Sequence, residues 1–254
     1  MPTATAPRLA PRSAWIREIG VFALALVVYQ ASRALVIGSP ATAFQNAKSL
    51  IGFEKGSGLF VETSIQRRVM EHVQLVEILN LFYLTAHWVV TPLFFVWLYR
   101  RRRDVYPLVR NAFLVANGVA IVVFMVFPVA PPRLAAGREG LVDTLRTVSD
   151  VDLRGGVLSG VFNPYAAVPS MHFGYAALIG VVAVVLVRSW TLRALALAYP
   201  AVVFLTIVGT ANHYIVDAVA GGLVMGLGGA SVLAWRSLRA AAAEPQISNC
   251  SLDR

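Results

Sequence analysis

Six apolar stretches, each near the length of about 20 residues that a helix needs to cross a bilayer, decide what this chain can fold into. They fall at roughly 15–37, 74–99, 107–129, 170–188, 192–210 and 213–235, with Pro200 interrupting the fifth. Lipid offers no partners to unpaired backbone N–H and C=O groups, so segments that cross it must be helical. The composition agrees: 57% of the 254 residues are hydrophobic and 14% are charged, against about a quarter charged in a soluble domain. The expected fold is an all-α integral membrane protein, a bundle of six transmembrane helices. The first stretch also has the basic leader and apolar core of a signal peptide, but the length of its run favours a span. A single cysteine, Cys250, excludes an internal disulfide framework and any cysteine-rich metal site.

Arginine placement orients the bundle. Arg8, Arg12 and Arg17 precede or open the first span, Arg100 to Arg103 follow the second, Arg188 and Arg193 join the fourth to the fifth, and Arg236 and Arg239 follow the sixth. With six alternating spans all of these lie on one side, which the positive-inside rule makes cytoplasmic, with both termini. The net charge of +9 is thus mostly topology and gives no ground for a nucleic-acid partner. Residues 1–14 read as a cytoplasmic tail, 15–239 as one membrane domain and 240–254 as a short disordered end.

Two segments on the opposite side break the pattern. Residues 38–73 are too polar to span, yet Phe44, Ala47, Leu50, Ile51, Leu59, Phe60, Ile65 and Val69 form a partly helical apolar stripe. This predicts interfacial helices along the outer leaflet, hinged at Gly56 and Gly58. Residues 130–169 are rich in Gly and Pro and too long for a plain connector; loops of that length are usually functional or disordered.

Ionisable residues inside spans are costly and therefore point to function. Pro169-Ser170-Met171-His172 opens the fourth span, and Asn212-His213-Tyr214-Ile215-Val216-Asp217 opens the sixth. Both helix starts are expected on the outer side, where free N–H groups and the helix dipole favour an anion such as phosphate. His213 and Asp217, four residues apart, share a helical face. A carboxylate there holds one imidazole nitrogen protonated and leaves the other free as nucleophile or base. A second histidine, His172, suits the protonation of a leaving oxygen, and Arg133 in Pro131-Pro132-Arg133-Leu134 offers a fixed cation.

At these residues the chain resembles the type-2 phosphatidic acid phosphatase superfamily, a six-helix membrane family that includes soluble vanadate-dependent haloperoxidases. Pro169-Ser170-Met171-His172 is similar to its second motif, which usually ends in Ser-Gly-His; Asn212 to Asp217 carry the histidine and aspartate of its third. The resemblance implies that His213 forms a phosphohistidine, Asp217 orients it, His172 is the acid for the leaving group, and Ser170 and Arg133 bind phosphoryl oxygens. Of the first motif, Lys-x6-Arg-Pro, the arginine is Arg133, while Val126 and Leu134 stand at the lysine and proline positions. Thr206-Ile207 stand where the third motif has Ser-Arg, so two cations of the family's cradle are missing. These departures resemble the inositol phosphorylceramide synthase-like branch. So do Ala-Val-Pro-Ser-Met-His at 167–172, Leu50-Ile51-x-x-Glu54-Lys55, Gly58-Leu59-Phe60-x-Glu62-x-x-Ile65-Gln66, and Tyr83-x-x-x-His87 in the second span.

Further pocket candidates are Asn163 and Tyr165, just ahead of the second motif, and Asn212. His87 and Tyr83 could reach a head group or simply bond to one another. Arg33 could replace a missing cation or snorkel to the interface. Lys55 could line the pocket, and Arg154 could close over it. The expected function is a lipid phosphatase, or a phosphotransferase passing the phosphoryl group to a polyol such as inositol, without cofactor or metal. The substrate is a lipid phosphate or phospholipid met at the outer face of the cell membrane. A proton- or ion-coupled transporter built on the same His/Asp cluster is the alternative. A zinc hydrolase fits less well, because the His-Glu-x-x-His spacing is absent.

Overall fold

A computed structural model describes residues 12–32, 39–135, 137–153 and 164–243. The described residues form ten α-helices, α1 (Arg12–Ser32), α2 (Pro40–Gly56), α3 (Glu62–Met70), α4 (Val73–Arg101), α5 (Tyr106–Val126), α6 (Pro132–Ala135), α7 (Thr144–Thr147), α8 (Met171–Leu186), α9 (Trp190–Gly209) and α10 (Ile215–Ala243), and one 3-10 helix at Gly137–Glu139. They contain no strand, only one isolated bridge between Val129 and Ala166. The all-α expectation holds.

Four helices, α4, α5, α9 and α10, are long and apolar enough to cross a membrane. The apolar α8 has 16 residues, shorter than the expected 170–188. Helix α1 ends at Ser32, and residues 33–37 of the expected first span lie outside the described residues. Leu24, Leu81, Leu93, Val185, Leu195 and Leu223 are all more than half exposed, the outward apolar surface that a lipid environment accommodates. At its other end α10 runs to Ala243, past the expected start of the tail at 240, and residues 244–254 lie outside the described set.

Small residues set the helix crossings. Pro200 does not break α9, as its place in the expected fifth span suggested; the helix continues through it. A proline leaves the carbonyl four residues back, that of Ala196, without its helical donor. Gly180 of α8 packs there, where a Cβ would come within 2.8 Å of the Ala196 oxygen. Gly174 of α8 meets Gly221 of α10 in the same way, at 2.9 Å from the Gly221 oxygen, and Gly228 approaches Ala112 of α5. The sequence of α8 and α10 therefore permits contact of backbone on backbone beside the starts of both helices.

Helix α1 docks on α5 through Glu18, buried and accepting from both Arg110 (2.7 Å) and the Tyr106 hydroxyl (2.9 Å). Trp15 packs on Tyr99, and Phe22 on Phe95 and Phe113.

Helices α2 and α3 differ from the expected apolar stripe. The buried face of α2 is Ala43, Ala47, Ile51 and Glu54, while Phe44 is exposed. Ser39 caps α2 by accepting from Thr42 N–H, and Pro40 fits the first turn, which needs no donor. The hinge lies between Gly56 and Glu62, where Gly58 takes a left-handed φ of 72°. Asn46 donates to the Pro128 carbonyl, and Gln66 makes two bonds of 2.9 Å with the Val142 backbone. The pair thus packs onto the ends of the longer helices.

Candidate active site

Main-chain bonds stitch the site's frame together. Val129 N–H donates to the Tyr165 carbonyl, Ala130 N–H to Ala43, Arg133 N–H to Ala211, and Ser170 N–H to Asp217. The last, at 2.8 Å, ties the start of α8 directly to the first turn of α10. Ser170 caps α8, its hydroxyl accepting from Phe173 N–H. Between α9 and α10 the chain reverses in a few residues. Ala211 takes a left-handed φ of 54°, a costly conformation for a residue with a Cβ. Asn212 and His213 N–H both return to the Ile207 carbonyl.

These turns bring His172 and His213 together, ring centroids 5.6 Å apart. His213 is buried, and its Nδ1 lies 3.0 Å from the Ala167 carbonyl oxygen and 3.2 Å from Asp217 Oδ2. A carbonyl oxygen can only accept, so Nδ1 carries the proton and Nε2 presents a lone pair. That Nε2 is buried without a partner, as is Nε2 of His172. Asp217 is fully buried, and its Oδ2 also accepts from Tyr214 N–H at 2.9 Å, a capping bond from the third helical position.

Tyr83 stacks on His172 at 4.5 Å, and His87 meets the same ring edge-on at 4.4 Å. Tyr83 and His87, on one helical face, thus both contact the His172 ring. The four side chains open on a cavity of about 400 Å³, whose remaining walls come largely from Phe22, Leu26, Phe113, Ile121 and Phe124. Tyr29, Thr91, Asn117 and Tyr175 add polar groups to this largely apolar wall.

Arg133 lines this cavity, and it is the one cation to do so among the described residues. Its side chain is buried, donates to Asp143 at 3.2 Å, and keeps Nε without an acceptor. Asn212 also lines the cavity; its amide donates to the Thr210 hydroxyl, and its Oδ1 is buried without a donor. Ser170 is fully buried beside His172.

Three expected pocket residues do not line the cavity: Ser170, whose hydroxyl is spent on the cap of α8, Lys55 and Tyr165. Lys55 is on the surface, paired with Glu139 and over the Phe60 ring, because its position on α2 faces away from the buried stripe. Tyr165 packs edge-on against Phe44, and its neighbours Pro164, Ala166 and Ala167 line the cavity instead. Arg33, Arg154 and Asn163 lie outside the described residues.

Sequence reasoning missed two site neighbours. Glu54 and Glu62, read only as acids in a family-like stretch, are fully buried at the start of α10. Glu54 Oε1 accepts from Val216 N–H at 2.9 Å, and Glu62 Oε1 from Ile215 N–H at 3.0 Å. Burial pushes the Glu54 carboxyl up to about 8; the Val216 N–H opposes the rise, while nearby Glu62 and Asp217 add to it. The one signal in the sequence was that both acids stand among apolar residues at helical spacing.

A family model described as the PAP2 superfamily matches residues 48–231. No curated protein matches the chain, and no solved structure does.

Proposed function

The chain belongs to the PAP2 superfamily, and from that premise we propose that it is a membrane lipid phosphatase or phosphotransferase working through a phosphohistidine. The observation that carries this reading is the pair of imidazoles: His213, its Nδ1–H committed to Ala167 and Asp217, and His172, 5.6 Å away between ring centroids. Both open on a cavity that also holds a buried arginine.

In the first step the Nε2 lone pair of His213 forms a bond to phosphorus, and the bond from phosphorus to the lipid oxygen breaks. His172 gives its proton to that departing oxygen, and Asp217 balances the positive charge that develops on His213. In the second step His172 takes the proton of an incoming hydroxyl, whose oxygen bonds to phosphorus as the P–N bond breaks. Arg133, whose Nε has no acceptor and which lines the cavity, steadies the phosphoryl oxygens. Water as acceptor makes the protein a phosphatase; an alcohol makes it a transferase. The stretches similar to the inositol phosphorylceramide synthase-like branch favour an alcohol, inositol among them.

The same reading takes α1 and α8 as spans beside α4, α5, α9 and α10, so that residues 15–239 form one six-span domain. Both termini then face the arginine-rich cytoplasmic side, and the site faces outward.

The test uses purified protein in detergent with a panel of lipid phosphates and phospholipids, with and without inositol. Products are scored as free phosphate or a new phosphodiester lipid. His213→Ala and His172→Ala should each abolish turnover at normal expression, and a radiolabelled substrate should leave acid-labile label on wild type but not on His213→Ala. Full activity of His213→Ala ends the proposal.

A further inference from the structure

We propose that Glu54 and Glu62 are positioning residues: two carboxyl groups, carried by α2 and α3, that hold the first turn of α10 and so aim His213 at the phosphoryl group. The inference rests on the phosphoryl-transfer reading of the site. A helix start leaves its first N–H groups without partners, and a local Ser, Thr, Asp or Asn usually accepts from one of them. Residue 214 is a tyrosine, whose side chain cannot do this. Instead Ile215 N–H goes to Glu62 and Val216 N–H to Glu54, while Tyr214 N–H goes to Asp217. Three carboxyl groups thus hold three successive N–H groups, immediately after His213.

Simple capping does not require two fully buried glutamates from distant parts of the chain, because burying a carboxylate is costly. The arrangement does something a local cap cannot: it fixes the His213 turn to the α2–α3 unit. Glu54 belongs to the buried face of α2 with Ala43, Ala47 and Ile51. Its carbonyl accepts from Leu59 and Phe60 N–H, which sets the short path to Glu62. The clamp therefore closes at the hinge itself.

The second oxygens of both glutamates, Oε2 in each, have no N–H or O–H donor, although the two side chains lie within hydrogen-bonding reach of each other. One proton between them satisfies both. Burial holds that proton on Glu54 up to about pH 8. Above it Glu54 takes on a negative charge that nearby Glu62 and Asp217 oppose, and repulsion works against the cap. The groups facing Glu54 are Glu62 from α3 and Tyr214 and Asp217 from the start of α10. Helix α6, which packs on α2, brings Arg133, already engaged with Asp143, and Lys55 of α2 itself pairs with Glu139.

The test compares full-length wild type, Glu54→Gln, Glu54→Ala, Glu62→Gln and His213→Ala, following lipid-phosphate turnover across pH and carboxyl infrared bands in the same titration. Glutamine copies a protonated Glu54: one atom accepts from Val216 N–H and the other donates to Glu62. Glu54→Gln should keep kcat near neutral pH and lose the alkaline fall near pH 8, whereas Glu54→Ala should lose at least about tenfold in kcat with little change in KM. Glu62→Gln, which leaves Glu54 a neutral partner, should also flatten the alkaline fall. The protonated-carboxyl band of wild type should vanish as pH rises through about 8 and be missing from Glu54→Gln. If Glu54→Ala fails to fold, Glu54→Gln alone decides, and an unchanged alkaline limb or an unchanged band overturns the proposal. An active wild type matched by Glu54→Ala overturns it too. A wild type without turnover, or a His213→Ala as active as wild type, overturns the phosphoryl-transfer reading beneath it, while the infrared titration still reports on the pair.

Discussion

Replacing Gly221 by alanine should silence the protein without touching a polar group. Gly221 lies on α10 one turn beyond Asp217, facing the start of α8. A Cβ there falls on the Ser170 carbonyl oxygen, well inside the 3.0 Å that real Cβ atoms keep from neighbours. The obstructing atom is backbone, so no rotamer relieves the overlap. Regaining an ordinary contact of 3.4 Å requires the two helices to part, and a shift of about 1 Å at a reacting pair is worth about 100-fold in rate. The separation falls on the seam that carries the 2.8 Å bond from Ser170 N–H to the Asp217 carbonyl, hence on the distance from His172 to His213. In stability, alanine gains about 1 kcal/mol of helix propensity and loses about 1–3 kcal/mol to overpacking. The protein should therefore still fold, with a melting temperature at or below that of wild type. The assay is kcat for lipid-phosphate turnover in detergent, beside a thermal melt. Gly226→Ala, on the same helix, is the control, since a Cβ there meets no neighbouring element within 4 Å. Wild-type kcat in Gly221→Ala would refute the claim that this contact sets the imidazole geometry.

Three further outcomes are expected. Asp217→Asn should lower kcat by less than His213→Ala does, because the Ala167 carbonyl still fixes the Nδ1 proton at 3.0 Å; equal losses in steady-state assays would show that the carboxylate alone sets the tautomer. Glu54 has a folded value of about 8 against an ordinary 4.5, so its contribution to stability is complete below about pH 4.5 and lost as pH rises to about 8. Wild-type stability should fall across that window by at most about 1.4 kcal/mol per pH unit, and melts of Glu54→Gln at pH 5 and pH 8 should show a smaller difference; equal slopes count against it. Arg110→Ala strands Glu18, buried with only the Tyr106 hydroxyl and an exposed Arg17 near it. The expected cost is about 3 kcal/mol, read as a lowered melting temperature that Glu18→Gln in the same background partly restores.

Long-range geometry marks the limit of what the sequence makes legible. The helices of the bundle are readable because hydrocarbon needs runs of apolar residues, and His213 and Asp217 are readable because a helix fixes where a residue four places on must lie. Ser170 and His172 follow from the same local logic. Glu54 and Glu62 are not, since a glutamate looks the same in a chain whether solvent or a helix start receives it. Lys55 shows the converse: one position from a buried acid, it turns outward to Glu139. The seating of Gly180 of another helix against the Ala196 carbonyl, one turn before Pro200, is a contact that no local pattern reports. The spacing of Tyr83 and His87 puts them on one helical face, but the His172 ring they contact lies 85 residues beyond His87 in the chain.

The joints among Val129, Ala130, Arg133 and Ser170 and their partners are peptide to peptide. Such joints are indifferent to the letter written at each position. None of these joints calls on the side chains of Val126, Leu134 or Thr206-Ile207, so the scaffold around the two imidazoles does not depend on which residues stand there. The two imidazoles are in that sense held by the main chain, while the side chains that line the rest of the cavity can be exchanged one at a time.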